Sequence, residues 1–350
     1  MNPQSIANTI TPERLPELLR ASPKAELHMH IEGSLEPELM FQLAQRNGLA
    51  LRYPSVEALR GAYVFDNLQS FLDIYHEGTL VLKTEQDFYD MTHAYLARAA
   101  ADNVVHTEIF FDTQTHTGHG LSAQVVIQGL HRACVDAQAE FGISASLILC
   151  FLRHLSEREA FECLEQALPW RDKLVGIGLA SSEVGHPPEK FARVFARCKE
   201  LGFRLVAHAG EEGPPAYIWS ALDVLKVERI DHGVQALKDP ALVARLVKER
   251  IPLTVCPLSN LKLRVFPTLS AHNLGAMLDA GIVATVNSDD PAYFGGYINQ
   301  NFTQTFAALN LGAQHAYTLA RNSFEASFID ASEKRRHIER LDAVFEAFTR

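Results

Sequence analysis

Apolar and polar positions along this chain follow two different periods. Short runs rich in Val, Ile, Leu, Phe and Ala cover residues 25–30, 104–111, 144–151, 174–179, 204–208, 229–232, 253–256 and 283–287. Between most of them the apolar positions recur every three to four residues, as over 123–141, 157–168, 188–201, 216–225, 240–249 and 269–280. The first pattern predicts strands and the second amphipathic helices. Strands alternating with helices give a parallel sheet, and eight of them suggest closure into a (β/α)8 TIM barrel. An open doubly wound sheet is the alternative. Residues 35–101 are more than one crossover requires and hold helical patterns at 36–47, 67–76 and 84–101. They read as an insertion after the first strand, a candidate lid over the C-terminal face of the barrel. The tail reads as further helices over 301–309, 313–327 and 331–348. No repeat, low-complexity tract or linker interrupts the chain, so one domain over 1–350 is expected.

Composition narrows the function. The formal net charge of −10 argues against a nucleic-acid or anionic-membrane surface. It fits an enzyme acting on a small neutral or cationic molecule. Cys134, Cys150, Cys163, Cys198 and Cys256 are scattered, odd in number and form no CxxC. That disfavours a disulfide framework or a thiolate zinc site and favours a reducing, cytoplasmic compartment. The first 24 residues carry neither a basic n-region nor an apolar h-region, and no apolar run is long enough to span a bilayer. The Asn301-Phe302-Thr303 sequon is therefore read as chance.

The unusual polar residues track the strand ends. His28 and His30 end the first strand in "AELHMHIEG", and residues two apart in a strand share a face. His208 ends the fifth in "HAGEEG", and His232 the sixth in "RIDHG". Asp289 and Asp290 follow the eighth in "NSDDP". Any one of these histidines alone would be read as structural. Jointly, at the face where barrel active sites lie, they point to a metal site. Imidazole and carboxylate suit zinc, so His28, His30, His208 and Asp289 are the expected ligands, with a position left for water. The fourth strand holds no lysine to bridge a second ion, so one zinc per chain is expected. Glu211 is placed for proton transfer, with Glu212 as a helix-start acid. His232 is placed to take or orient the proton of the water. Adjacent aspartates diverge, which leaves Asp290 to the substrate. "CPLSN" (256–260) reads as a structural turn, while Ser181, Ser182, Glu183 and His186 in "SSEVGHPP" could line a pocket.

In this order "HMHIEG", "HAGE", "RIDHG", "CPLSN" and "NSDDP" resemble the adenosine and adenine deaminases of the metal-dependent amidohydrolase superfamily, over roughly residues 24–297. The resemblance implies a zinc-bearing barrel that hydrolyses the exocyclic amine of a 6-aminopurine. It implies that His28, His30, His208 and Asp289 hold zinc, that Glu211 protonates purine N1, that His232 orients or deprotonates the water, and that Asp290 meets N7. The HxE…PCxxC pattern of the base-flipping zinc deaminases is absent. Two departures bear on the substrate. Ser181 stands where adenosine deaminases carry a glycine facing the purine, and Glu32 stands where they carry a ribose-binding aspartate. "IFFDTQTH" (109–116) and "SSEVGHPP" are similar to the adenine deaminase subgroup. Free adenine, in purine salvage, is therefore the expected substrate. Adenosine or an N6-substituted adenine is the near alternative, and a non-catalytic purine binder the remote one. A homo-oligomer is compatible with the sequence.

Overall fold

The computed structural model describes residues 10–349; the first nine residues of the N-terminal stretch read above lie outside the described residues. Eight parallel strands follow one another around the sheet in sequence order: β1 (Lys24–His30), β2 (Val104–Phe111), β3 (Ser144–Leu152), β4 (Leu174–Ala180), β5 (Arg204–Ala209), β6 (Arg229–His232), β7 (Leu253–Val255) and β8 (Ala284–Val286). Each falls within two residues of its predicted place. The barrel closes just beyond β8. Asp289 bridges Met29 of β1, with the His30 amide donating to the Asp289 carbonyl at 2.8 Å and the Asp289 amide to the His28 carbonyl at 3.1 Å. Lower in this seam the Asn287 side chain replaces backbone, accepting from the Leu27 amide at 2.8 Å. The architecture is the expected (β/α)8 barrel.

The barrel interior is partly charged. Arg229 and Glu108 are both fully buried and paired at 2.5 Å, and Arg229 also donates to the Leu27 carbonyl at 3.1 Å. Burial alone would push the Glu108 carboxyl up, but the Arg229 guanidinium holds its pKa down to about 2.

The insertion carries helices α1 (Pro37–Arg46), α2 (Val56–Gly61), α3 (Leu68–Thr79) and α4 (Glu85–Ala101). Sequence reading missed α2, a helix of only six residues. It placed the start of α4 within one residue, where the structure shows a capping box between Thr84 and Asp87. After β8 come α5 (Ile298–Leu309), α6 (Ala313–Ala326) and α7 (Ala331–Phe348). Helix α6 packs on β1 and β8, and its Ser323 hydroxyl accepts from the Ala25 amide at 2.9 Å. Some crossover helices are irregular. Residues 216–225, expected as one helix, are an α-turn (Pro215–Ser220) running into a π-turn (Ala221–Leu225). "CPLSN" opens a short helix, Pro257–Lys262, rather than a turn alone. Among the described residues no helix is long and apolar enough to cross a membrane.

Candidate active site

Barrel closure gathers the histidines. His28 and His30 point inward from β1, and the seam sets Asp289 beside them: Asp289 Oδ1 lies 3.2 Å from His28 Nε2 and 3.5 Å from His30 Nε2. His208 Nε2, from β5, lies 3.0 Å from His30 Nε2. Phe110 of β2 is the apolar wall behind all three rings, at 5.1–5.5 Å between centroids.

The donor chemistry fits a divalent ion. His28 Nδ1 faces the Thr254 carbonyl at 3.2 Å, and His208 Nδ1 faces Asp231 Oδ2 at 3.3 Å. A proton on Nδ1 of each ring would meet these acceptors and leave the Nε2 lone pairs to converge on an ion. Nitrogens about 2.0–2.1 Å from a tetrahedral zinc stand roughly 3.3 Å apart, which matches these spacings. His28, His30, His208 and Asp289 thus form a group that could hold a metal. A second group, His28, His232, Cys256 and Asp289, overlaps it. In that group burial pushes the Cys256 thiol well above its usual range, whereas the first offers imidazoles already oriented.

A second layer, unread in the sequence, orients these rings. Asp231 precedes His232 in "RIDHG" and is fully buried. Its Oδ1 accepts from the Thr254 hydroxyl at 2.9 Å, and that hydroxyl lies 3.0 Å from His28 Nδ1. Burial opposes ionisation of Asp231, but His208, His28 and Arg229 hold its pKa low.

Beside the donor cluster opens a pocket lined by His30, His208, Glu211, His232, Asp289 and Asp290 on its polar side. Burial and the charges of Asp289, Glu183 and Glu212 push Glu211 well above the carboxylate range, so it holds its proton. Burial and the adjacent Asp289 do the same to Asp290. Burial opposes ionisation of Asp289, but His28, 3.2 Å away, outweighs it and holds the Asp289 pKa well down. His232 Nε2 lies 3.5 Å from Glu211 and 3.8 Å from Asp289, and burial pushes its pKa well down, leaving a neutral imidazole. Backbone strain collects here. Ser181 (φ 80°), His232 (φ 63°) and Asp289 (φ 62°) are all left-handed although none is glycine. Gly33, the last residue of "HMHIEG", is required by space: a Cβ there would overlap the Asp290 carboxyl.

The opposite wall is apolar and comes from the insertion. Helix α3 contributes Leu68, Phe71, Leu72, Tyr75 and His76. Ser181 lines the pocket, its hydroxyl 2.9 Å from His154 Nδ1. Ser182 does not line it; it faces an outer cavity and donates to Gln69 of the insertion at 2.9 Å. Glu32 is buried behind the wall, 3.1 Å from His116 Nε2 and accepting from Tyr75 at 3.4 Å. His186 also belongs to the outer cavity. Asp112, at the end of β2 within the quoted "IFFDTQTH", lines the pocket as well. Its position at a strand end was a signal that sequence reading passed over.

Imidazoles and carboxylates converge at the C-terminal strand ends of a parallel barrel, the face where active sites of this fold lie. The family described as adenosine deaminase matches residues 23–344, and the chain belongs to that family. A protein named adenine deaminase from Albidiferax ferrireducens is 81% identical over 339 residues, spanning 97% of this chain and 98% of that one. Another of that name from Trichlorobacter lovleyi is 67% identical, over 95% of this chain and 96% of its own. The crystal structure of an adenine deaminase from Arthrobacter aurescens superposes with a TM-score of 0.90 at 51% identity, covering 91% of this chain and 98% of that one. An amidohydrolase from Burkholderia ambifaria, solved with bound Zn, superposes at 0.88 with 26% identity, covering 97% and 95% of the two chains.

Proposed function

We propose that this chain is a single-domain, zinc-dependent enzyme that hydrolyses adenine to hypoxanthine and ammonia in purine salvage. The observation that carries the reading is geometric: the His28, His30, His208 and Asp289 donor cluster borders one pocket into which Glu211, His232 and Asp290 also face. Glu211 and Asp290 are held protonated while Asp289 is ionised and His232 neutral. Two carboxylic O–H donors match a heterocycle with two acceptor nitrogens on one side, as N1 and N7 flank C6 of a 6-aminopurine. The relatives named adenine deaminase support the same substrate.

His28, His30, His208 and Asp289 would hold one zinc, which supplies Lewis acidity that brings the pKa of water toward neutrality. His232 takes the water proton. Glu211 donates to N1, drawing electron density from C6 so that the water oxygen can add there. Asp290 donates to N7 and fixes the ring. His232 returns its proton to the exocyclic nitrogen, which leaves as ammonia, and the hydroxyl proton on the C6 oxygen passes to Glu211 as C6 becomes a carbonyl. We read the insertion as the lid that excludes bulk water; the Ser182–Gln69 contact joins it to the β4 loop. Glu32, held by His116 and Tyr75, does not line the pocket, so the preference for the free base rests on the relatives named adenine deaminase. All five cysteines are free and buried, which supports a cytoplasmic setting.

Ultraviolet-monitored turnover of adenine and adenosine, on enzyme of measured zinc content, tests the reading. Conversion of adenine with adenosine nearly untouched is expected. Preference for adenosine would overturn the substrate, and zinc-loaded enzyme inert to both would overturn the reaction.

A further inference from the structure

Glu183 lies just beyond β4, 1% exposed, in the "SSEVGHPP" segment. Its carboxylate accepts four successive backbone amides of the loop after β5. Oε1 takes Gly210 at 2.6 Å; Oε2 takes Glu211 at 3.0 Å, Glu212 at 2.9 Å and Gly213 at 2.8 Å. Four amides curled around one anion form a nest, here filled from within the chain. Gly213 keeps the approach open, since a Cβ there would sit 2.7 Å from Glu183 Oε1 and from the Tyr217 ring. The loop's other ties are fewer: Gln235 donates from its amide to the Gly210 carbonyl and from its side chain to the Glu211 carbonyl, both at 2.9 Å. Buried amides left without acceptors carry a desolvation penalty, so removing the carboxylate forces this loop to move. The loop carries Glu211 into the pocket, whereas Glu183 lines only the outer cavity.

We propose that Glu183 is a positioning residue whose carboxylate, by collecting the amides of residues 210–213, sets the place from which Glu211 reaches the substrate. The inference rests on the proposed role of Glu211 as proton donor. An amide cannot replace the carboxylate, because its NH2 would confront at least one N–H donor.

Glu183→Gln tests this. Turnover number should fall about ten- to hundredfold with KM nearly unchanged, since misplacement of about 1 Å costs that much. Metal content should stay at the wild-type level. The double variant Glu183→Gln/Glu211→Gln should be no slower than Glu211→Gln alone, because residues acting as one unit are not additive. Glu183→Asp, which keeps the charge, should recover part of the rate. Amide hydrogen exchange supplies a readout independent of the reaction: in Glu183→Gln, amides 210–213 should lose protection while β5 keeps its own. A full turnover number in Glu183→Gln, multiplicative losses in the double variant, or unaltered exchange at 210–213 would each overturn the proposal. If Glu183→Gln does not fold, Gly213→Ala, which displaces the same carboxylate, is read the same way. Wild-type enzyme inert toward adenine would overturn the proposed reaction, and the exchange measurement would still decide whether Glu183 holds the loop.

Discussion

At the scale of the residue, the pocket works by assigning different protonation states to chemically similar groups. Glu211 and Asp290 are raised by burial and by neighbouring carboxylates, Asp289 is lowered by histidines, and His232 is lowered by burial. In the proposed reaction the active form has Glu211 protonated and His232 neutral. Activity should therefore fall as pH rises through the raised Glu211 pKa, and fall again as pH drops through the lowered His232 pKa, leaving a plateau between. Glu211→Gln should cut kcat by about 10²–10⁴-fold with metal retained and should abolish the alkaline limb. Steady-state pH profiles with metal analysis check this, and a retained alkaline limb would assign that limb to another group. Gly33→Ala should displace the Asp290 carboxyl and lower kcat/KM for adenine by about a hundredfold at unchanged metal content; wild-type kinetics in that variant would refute the packing argument. Among these residues the proposed ligands and Glu211 could be singled out in the sequence because each stands at or just beyond a strand end. Asp231 and Thr254 were not, because a side chain that orients a ligand through its far nitrogen has no characteristic spacing from it in sequence.

At the scale of the element, the seam between β8 and β1 matters most. Strand β8 is only three residues long, and closure onto β1 falls to Asn287 and Asp289 just beyond it. Asn287 supplies the missing acceptor for Leu27, and Asp289 supplies the bridge that also places its carboxylate on the histidines. Asn287→Ala would leave the buried Leu27 amide unpaired, a cost of about 1–3 kcal/mol. Urea unfolding should show that loss as a lower midpoint, and activity should fall with it because Asp289 sits two residues on. An unshifted midpoint would mean that water replaces the side chain. The capped or strongly periodic helices were readable to within a few residues. The six-residue α2 and the π-turn at 221–225 were not, since a single turn carries too few apolar repeats to show a period.

At the scale of the whole molecule, metal and fold should stabilise each other. The donor cluster is assembled only in the folded chain, so an ion bound there favours folding. Chelation should lower the unfolding temperature and zinc should restore it; at a thousandfold excess over Kd the gain is about 4 kcal/mol. A melting curve indifferent to chelator would remove the metal from the cluster. The sequence by itself determined the eight strands, the order of their helices, the insertion after β1 and the residue types at the C-terminal ends, because periodicity and strand-end position are local properties. Only the tertiary structure decided which polar groups share a pocket. It put Ser182 against Gln69 outside the cavity, Glu32 behind the Tyr75 wall, and Glu183 beneath the loop that carries Glu211. These depend on where neighbouring loops come to rest, and protonation follows from burial and from charges that meet only when the barrel closes.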